Sequence, residues 1–476
     1  MREETTMLDP TAARKPHSVL LGLLALTMTL GAASAALAKD PPFNMSEVSN
    51  FDQAGQIYAD VWGDGDFAYL AHFAQSRVDI IDLTDPSDPQ LAAFVNTQVG
   101  SAQDVKVGDG LMFVGLESAS PGVKIYDVRN PYDPELLTNV TAMSAVHNVF
   151  YHEGWLFVVD SSSDEIDIHD LRDYDPDNPP ATISQATWTV DNVGFFVHDV
   201  TAVGHLLFAA SWDAIRVFDI TDLDAGPPVF LTLAPGDSVH SSWATADLKY
   251  LVAAEERTGG GLTLYEMVDA ETPGALSLVL RDTFEIPVSR ATSVHNPVIK
   301  DYRVYTSWYQ VGVQVLEIDP VLGEFTLVAS FDTTEANGNT GFTGCWGVYP
   351  FLGDDRILAS DTSTGLWVVE AHLSDDPFLS VTGSCPGTVT LEVSGATPNI
   401  EMGFISAANT NGFTKGGQFC NGTVFELGEP FVLPPTFLKT DEDGNGSKTM
   451  TLQSGSCFVE GMDFASCLTT NVASPN

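Results

Sequence analysis

The sequence predicts an all-β chain: a seven-bladed β-propeller, its N-terminal strand closing the last blade, followed by a small Cys-containing β-sandwich-like domain. Three observations lead there. Helical periodicity is almost absent between Phe51 and Leu373, where short β-branched or alternating runs are broken by Gly, Asp and Pro. A marker residue before the hydrophobic core of each unit's first strand recurs at Asp60, Asp104, Asn148, Asp199, Ser241, Asn296 and Gly347, with spacings of 44, 44, 51, 42, 55 and 51. Four of the five cysteines, Cys385, Cys420, Cys457 and Cys467, fall after the last repeat.

Each unit has room for four short strands. The second is apolar and precedes a turn, as in FAYLAHF, LMFVGLE, WLFVVD and RILASD. The third, as in VDIIDLTDP, VKIYDVRNP and IRVFDITD, runs into a Pro- or Asp-rich turn, and a fourth follows, as in QLAAFV and FTLVASF. Units of this length and content are expected to be propeller blades. The seventh unit supplies only three strands before the chain moves on after Leu373. EVSNFD, residues 47–52, echoes LVASFD, residues 327–332. The N-terminal strand is therefore expected to complete the last blade and to cover an otherwise open sheet edge.

The ends of the chain read differently. Arg14 and Lys15 precede an apolar run from Val19 to Leu30 and an Ala36-Leu37-Ala38 cleavage pattern, so residues 1–38 are expected to be a secretory signal peptide. The alternative is an uncleaved anchor, although the run is shorter than the ~20 residues of a span. Residues 39–376 are assigned to the propeller and 377–476 to the C-terminal β domain. The net charge is −44, and the first 38 residues hold three acidic and three basic groups, so their removal leaves it unchanged. Such a surface repels nucleic acid and anionic membranes. It suits either a salt-adapted solvated exterior or clustered carboxylates that bind cations, Ca²⁺ included. In an exported chain the four late cysteines imply two disulfides, with three possible connectivities. Cys345 is the odd one, expected as a buried inert thiol.

The third-strand pattern, best seen in VDIIDLTDPSDP, resembles the LVIVD repeat. The stretch from SVHNPVIKDYRVYTSWYQVGVQVLEI to GCWGVYPFLGDDRILASDTSTGLWVVE resembles the choice-of-anchor B family of bacterial surface proteins. The resemblance covers about Phe51 to Ala371. It implies an exported propeller whose C-terminal attachment varies between members, and it implies no catalytic activity. The last segment looks like the Cys-rich β modules that end many secreted bacterial proteins. Asp441, Asp443, Asn445 and Gly446 mimic the start of an EF-hand loop, but Leu452 stands where its bidentate Glu belongs, so a hairpin turn is expected.

The candidate site follows from propeller geometry. First strands line the channel, and their starts lie on the same face as the turns after the second strands. His147, His198, His240 and His295 each precede a marker, with Gln103 and Trp346 in the same zone of other units. With Asp160 and Glu255 they form the candidate set for a divalent transition metal (Zn, Cu, Fe or Mn) or Ca, since imidazoles and carboxylates converging from several blades suit such ions. Asp104, Glu117, Glu256, Arg257, Trp308 and Asp361 are placed at the same mouth as ligand contacts. Arg257 suits an anionic ligand, and Trp308 with Tyr309 suits a sugar or aromatic one, or else inter-blade packing. The competing explanation of the histidines is structural, one residue doing one job in each blade.

No G-x-S-x-G elbow, P-loop, H-E-x-x-H or dinucleotide fingerprint is present. The expected function is an exported or cell-surface module, extracellular or periplasmic and monomeric, that binds a protein, glycan or small ligand. The alternative is a metal-dependent oxidoreductase or hydrolase using the histidine arc, and a third reading is a purely structural envelope component.

Overall fold

The computed structural model describes residues 42–475 except 118–119, 121, 161–162, 192, 194–195, 271–274, 287–291, 301, 320–321, 335–341, 354–355, 374–376, 395, 398, 411, 416–419, 421–422, 426, 442–443 and 471. The signal-peptide reading of residues 1–38 and the boundary at residue 376 lie outside the described residues. What is described is all-β, with one 3₁₀ turn at Tyr309–Val311 and no helix long and apolar enough to cross a membrane.

Antiparallel four-stranded meanders follow one another along the chain. The first is Tyr58–Asp64, Phe67–His72, Arg77–Asp82 and Gln90–Asn96. The second is Ser101–Gly108, Leu111–Glu117, Val123–Asp127 and Glu135–Val140. The third, Asn148–His152, Trp155–Val159, Ile166–Asp170 and Trp188–Val190, reaches its fourth strand by an excursion in which Thr182–Ile183 pairs parallel with Glu135–Val140. The long strand Val229–Ala244 is shared between two meanders. Its first half closes the fourth, after Asp199–Val203, Leu206–Ala210 and Trp212–Asp219, and its second half opens the fifth, before Tyr250–Glu255, Leu262–Val268 and Ser277–Phe284.

Val294–Lys300, Arg303–Trp308, Gly312–Ile318 and Phe325–Phe331 make the sixth. Cys345–Tyr349, Arg356–Asp361 and Gly365–Ala371 begin the seventh, and the N-terminal strand Met45–Phe51 completes it, running from Met45↔Ala371 to Phe51↔Leu366.

Core residues lie between successive meanders, which explains why inner strands read as near-continuous apolar runs: both faces are covered. Tyr69, Val105 and Val114 pack between the first and second meanders, and Phe113, Val149 and Leu156 between the second and third. Phe157 and Leu207, Phe208 and Leu251, Val252 and Val304, then Val315 and Ile357 continue the series. Leu358 and Val368 of the seventh then pack against Tyr58, Leu70 and Ile81 of the first. First strands likewise neighbour one another in order, and the first strand of the seventh meander neighbours that of the first.

In the C-terminal segment, Phe378–Gly383, Gly387–Ser394 and Gly446–Leu452 form one three-stranded sheet, and Phe431–Lys439, Glu401–Ala407 and Phe458–Asp463 another. Leu391, Val393, Phe404, Leu438 and Val459 share one core. Two disulfides join Cys385 to Cys457 and Cys420 to Cys467. Asp441 closes a turn through its backbone and side-chain bonds with Asn445, while Leu452 is a buried strand residue. Asp443 lies outside the described residues.

Candidate metal centre in the central cavity

First strands of all the meanders line one cavity of about 60 Å³, room for a few water-sized groups. Its walls are built in tiers by residues at equivalent positions. The marker residues form a polar ring that links neighbouring meanders. Asp104 Oδ2 accepts the Val149 N–H (2.7 Å), Asn148 Oδ1 accepts that of Val200 (3.2 Å), and Ser241 Oγ donates to the His295 carbonyl (2.7 Å). At Gly347 a Cβ would come 2.8 Å from Asp60 Oδ1, so the ring closes there on a residue with no side chain. Lys106 Nζ binds both Asp60 Oδ2 (2.7 Å) and Asp104 Oδ1 (2.5 Å) inside this ring. Burial opposes its charge, but the two carboxylates outweigh that and hold the ammonium above its ordinary range. Burial and the nearby Asp104 push the Asp199 carboxyl well up.

Two residues beyond the markers, Trp62, Phe150, Trp243 and Tyr349 meet edge to face or tilted. Ring centroids lie 6.5 Å apart for Trp62–Phe150, 5.6 Å for Phe150–Trp243 and 4.9 Å for Trp62–Tyr349. One residue before the markers lies the third tier, the histidines. Centroids of His147 and His198 are 4.2 Å apart, those of His198 and His240 4.1 Å, and those of His240 and His295 4.3 Å. Trp346 continues the arc, 4.5 Å from His295. A histidine and the marker after it both reach the cavity because a β-bulge lies between them: the ladder slips at Val239/Ser241, Val294/Pro297 and Cys345/Gly347. His147 and His198 show a like irregularity, each donating its N–H to the carbonyl of the residue that the next marker already faces, Val159 and Ala210; His147 thereby lines the cavity, and His198 packs between His147 and His240. Bulges re-aim side chains in this way.

Second-strand ends hold the arc in place. Nδ1 of His147 lies 3.1 Å from Glu117 Oε1, and Gln103 Nε2 donates to the other Glu117 oxygen. Nδ1 of His295 lies 2.5 Å from the Trp346 carbonyl, which can only accept, so that nitrogen carries the proton. The other nitrogen, Nε2, is left with its lone pair and faces Glu256 Oε1 at 3.9 Å. Glu256 Oε2 lies 3.7 Å from His240 Nε2, and the Tyr309 hydroxyl donates to Glu256 Oε1 at 2.6 Å. Burial is the chief cause that keeps His198 and His240 well below the ordinary imidazole range and lowers His295 to about 3, so these rings stay neutral. Burial also pushes Glu256 up to about 7, although the Tyr309 bond works the other way.

One ligand atom each from His147, His198 and His240 fall within 4.8 Å of one another, and so do those of His240, Glu256 and His295. Of the residues assigned to a metal from sequence, the four histidines thus come together. Asp160 and Glu255 belong to neither group among the described residues. Glu255 instead binds Arg257 Nη2 (2.9 Å), and Arg257 Nε lies 3.5 Å from Asp237. Glu256, one residue on, is the carboxylate that faces the imidazoles; a hairpin end puts neighbours on opposite sides, which the sequence gives no means to choose between.

Asp104 lines the cavity, and Glu117 reaches the arc through His147. Trp308 does not reach the mouth. It is fully buried in a core with Val294 and Leu264, its ring 5.9 Å from Phe284. Asp361 is likewise buried, accepting from Thr333 Oγ1 (2.7 Å) and the Ser363 N–H (2.9 Å) to close a turn. Lys106 went unread, although its alternation with Asp104 in QDVKV places both on one face. Cys345 is buried and free, its thiol pushed well up by burial.

None of the curated proteins matches this chain. Among solved structures it is similar to the computationally designed Ika8 protein, at 9% identity and a TM-score of 0.46 over 68% of this chain and 99% of that one. It is also similar to a functionally unknown protein from Desulfotomaculum acetoxidans DSM 771, at 14% identity and a TM-score of 0.47 over 61% of this chain and 90% of that one. Residues 57–97, which span the first meander in full, match the LVIVD repeat, and the chain carries that repeat.

Proposed function

We propose that the chain is an exported or cell-surface β-propeller of seven blades, of the choice-of-anchor B kind, that serves as a binding module with a divalent transition metal at one end of its channel. Residues 39–376 form the propeller and residues 377–476 a separate disulfide-bonded β domain. The metal is held by His147, His198 and His240, whose ligand atoms lie within 4.8 Å of one another. That convergence carries the reading, and Glu117, which ties Nδ1 of His147, leaves Nε2 of that ring to ligate, as second-shell acceptors do around metal-bound imidazoles. Partners on this reading are an extracellular protein, glycan or small ligand that reaches the histidine end.

Glu256 gives specific support to the second reading, a metal-dependent oxidoreductase or hydrolase. A carboxyl held at about 7 beside the imidazoles is matched to proton transfer near neutrality.

Elemental analysis of full-length protein purified without chelator tests the metal. The expected result is a transition metal at one equivalent or more, and less than about a tenth of an equivalent overturns the reading. A His198→Ala/His240→Ala double variant is expected to lose the metal while its circular dichroism stays that of a folded β protein.

A further inference from the structure

We propose that the histidine arc holds two metal ions, the second bound by His240, His295 and Glu256. This rests on the metal reading above and extends it.

The distances at that end do not suit a hydrogen-bonded cluster. The gaps of 3.7 and 3.9 Å from Glu256 to the Nε2 atoms of His240 and His295 are too long for hydrogen bonds. They are close to the ~3.3 Å separating two ligand atoms that each lie ~2.0–2.1 Å from one tetrahedral ion. Charge points the same way. Glu256 is largely buried, and its carboxylate meets the Tyr309 hydroxyl and two imidazoles; among the described residues neither Lys nor Arg pairs with it. A buried carboxylate without a cation is costly, and a divalent ion in the gap supplies one. Two imidazoles and a carboxylate are also a donor set for Fe(II), Mn(II) or Zn(II) with coordination positions left open.

One ion cannot take the whole arc. His147 and His295 stand three ring-to-ring steps apart, each of about 4 Å. Each end has its own orienting group: Glu117, fixed by Gln103, for His147, and the Trp346 carbonyl for His295, with Tyr309 on Glu256. His240 belongs to both ligand sets, and a neutral imidazole offers one lone pair, so one ion takes His240 and the other keeps two protein ligands with its remaining positions open, which makes the two affinities unequal.

The test is a Zn²⁺ titration of the metal-stripped full chain against a chromophoric chelator, repeated with Co²⁺ and read by its visible absorption. Wild type is expected to bind two ions in two unequal steps. Glu256→Gln and His147→Gln are each expected to bind one, with different Co²⁺ spectra. Tyr309→Phe, which removes no ligand, is expected to keep both ions and to weaken one by ~10- to 100-fold. If Glu256→Gln does not fold, His295→Ala is read in its place. Saturation of wild type at one ion overturns the proposal, as does a Glu256→Gln or His295→Ala protein that still binds two, or none. No ion in wild type overturns the single-metal reading as well, so the two failures are distinct.

Discussion

The two ends of the cavity are built by the same strands at a spacing of three residues, yet they obey different rules. His147 immediately precedes the strand that carries Phe150, while His240 and Trp243 share a strand, as do Trp346 and Tyr349 in the seventh meander. At one end, rings meet edge to face and tilted, and what matters is volume and contact. At the other, the two flanking imidazoles, His147 and His295, are aligned by tied Nδ1 atoms and carboxylates face the arc, so position matters more than volume. Between them the marker ring joins the meanders through side chain to backbone bonds. A repeat thus keeps its frame by repeating the middle tier and is free to vary the tiers on either side.

The aromatic end is expected to carry stability, and truncation there has the largest effect. Trp243 packs against the cores between the third and fourth, the fifth and sixth, and the sixth and seventh meanders, and reaches Phe150 and Phe351. Trp243→Ala is expected to cost about 3–5 kcal/mol in denaturant unfolding, with the metal content of the folded fraction unchanged. Metal lost in proportion to stability would erase the distinction between the two ends.

A pH series probes the histidine end. His295 is neutral in the fold down to about 3, while an unfolded histidine takes a proton near 6.5. Below 6.5 the unfolded chain therefore binds the extra proton, and this residue's contribution to stability falls as pH falls, until about 3. Glu256 has the opposite sign: its folded value near 7 exceeds the unfolded one, so stability falls as pH rises between them. Comparing one variant with wild type isolates the histidine. In metal-free protein, His295→Gln is expected to lose about 1 kcal/mol less than wild type between pH 6.5 and 5.5, the unfolded histidine being already half protonated at 6.5. Equal losses would mean that the ring is protonated in the fold.

Much of this architecture was legible because its signals are local. The marker spacing placed every first strand, and the echo of LVASFD in EVSNFD placed the N-terminal strand beside Gly365–Ala371. The four histidines were legible for the same reason, since each sits at the same step of a repeat. Signals that depend on the direction of a side chain were not. A bulge turns consecutive residues toward the cavity, and the turn after Tyr250–Glu255 sends Glu255 to Arg257 and Glu256 to the imidazoles. Trp308 ends its strand at the position that looks like a mouth residue, yet the following 3₁₀ turn leaves it inside the core and offers Tyr309 instead. Lys106 was missed because a lysine in a strand reads as solvent-facing unless its two carboxylate partners, one of them in another meander, are known.

The smallest effect sharpens the status of the middle tier. Asp104 and Asn148 do one job in successive meanders, each accepting the backbone N–H of the next first strand. An amide oxygen is therefore sufficient for the frame, and the charge at Asp104 is needed only by Lys106, which also holds Asp60. Asp104→Asn is expected to keep the link to Val149 and to exchange a charge-assisted bond for a neutral one, a loss of about 1 kcal/mol in denaturant unfolding. Asp104→Ala removes the acceptor and leaves the Val149 N–H buried without a partner, so its loss is expected to exceed that of Asp104→Asn. Equal losses for the two variants would place the value of Asp104 in its pairing with Lys106, and the marker ring would then be an electrostatic device in this meander and a backbone tie only in the next.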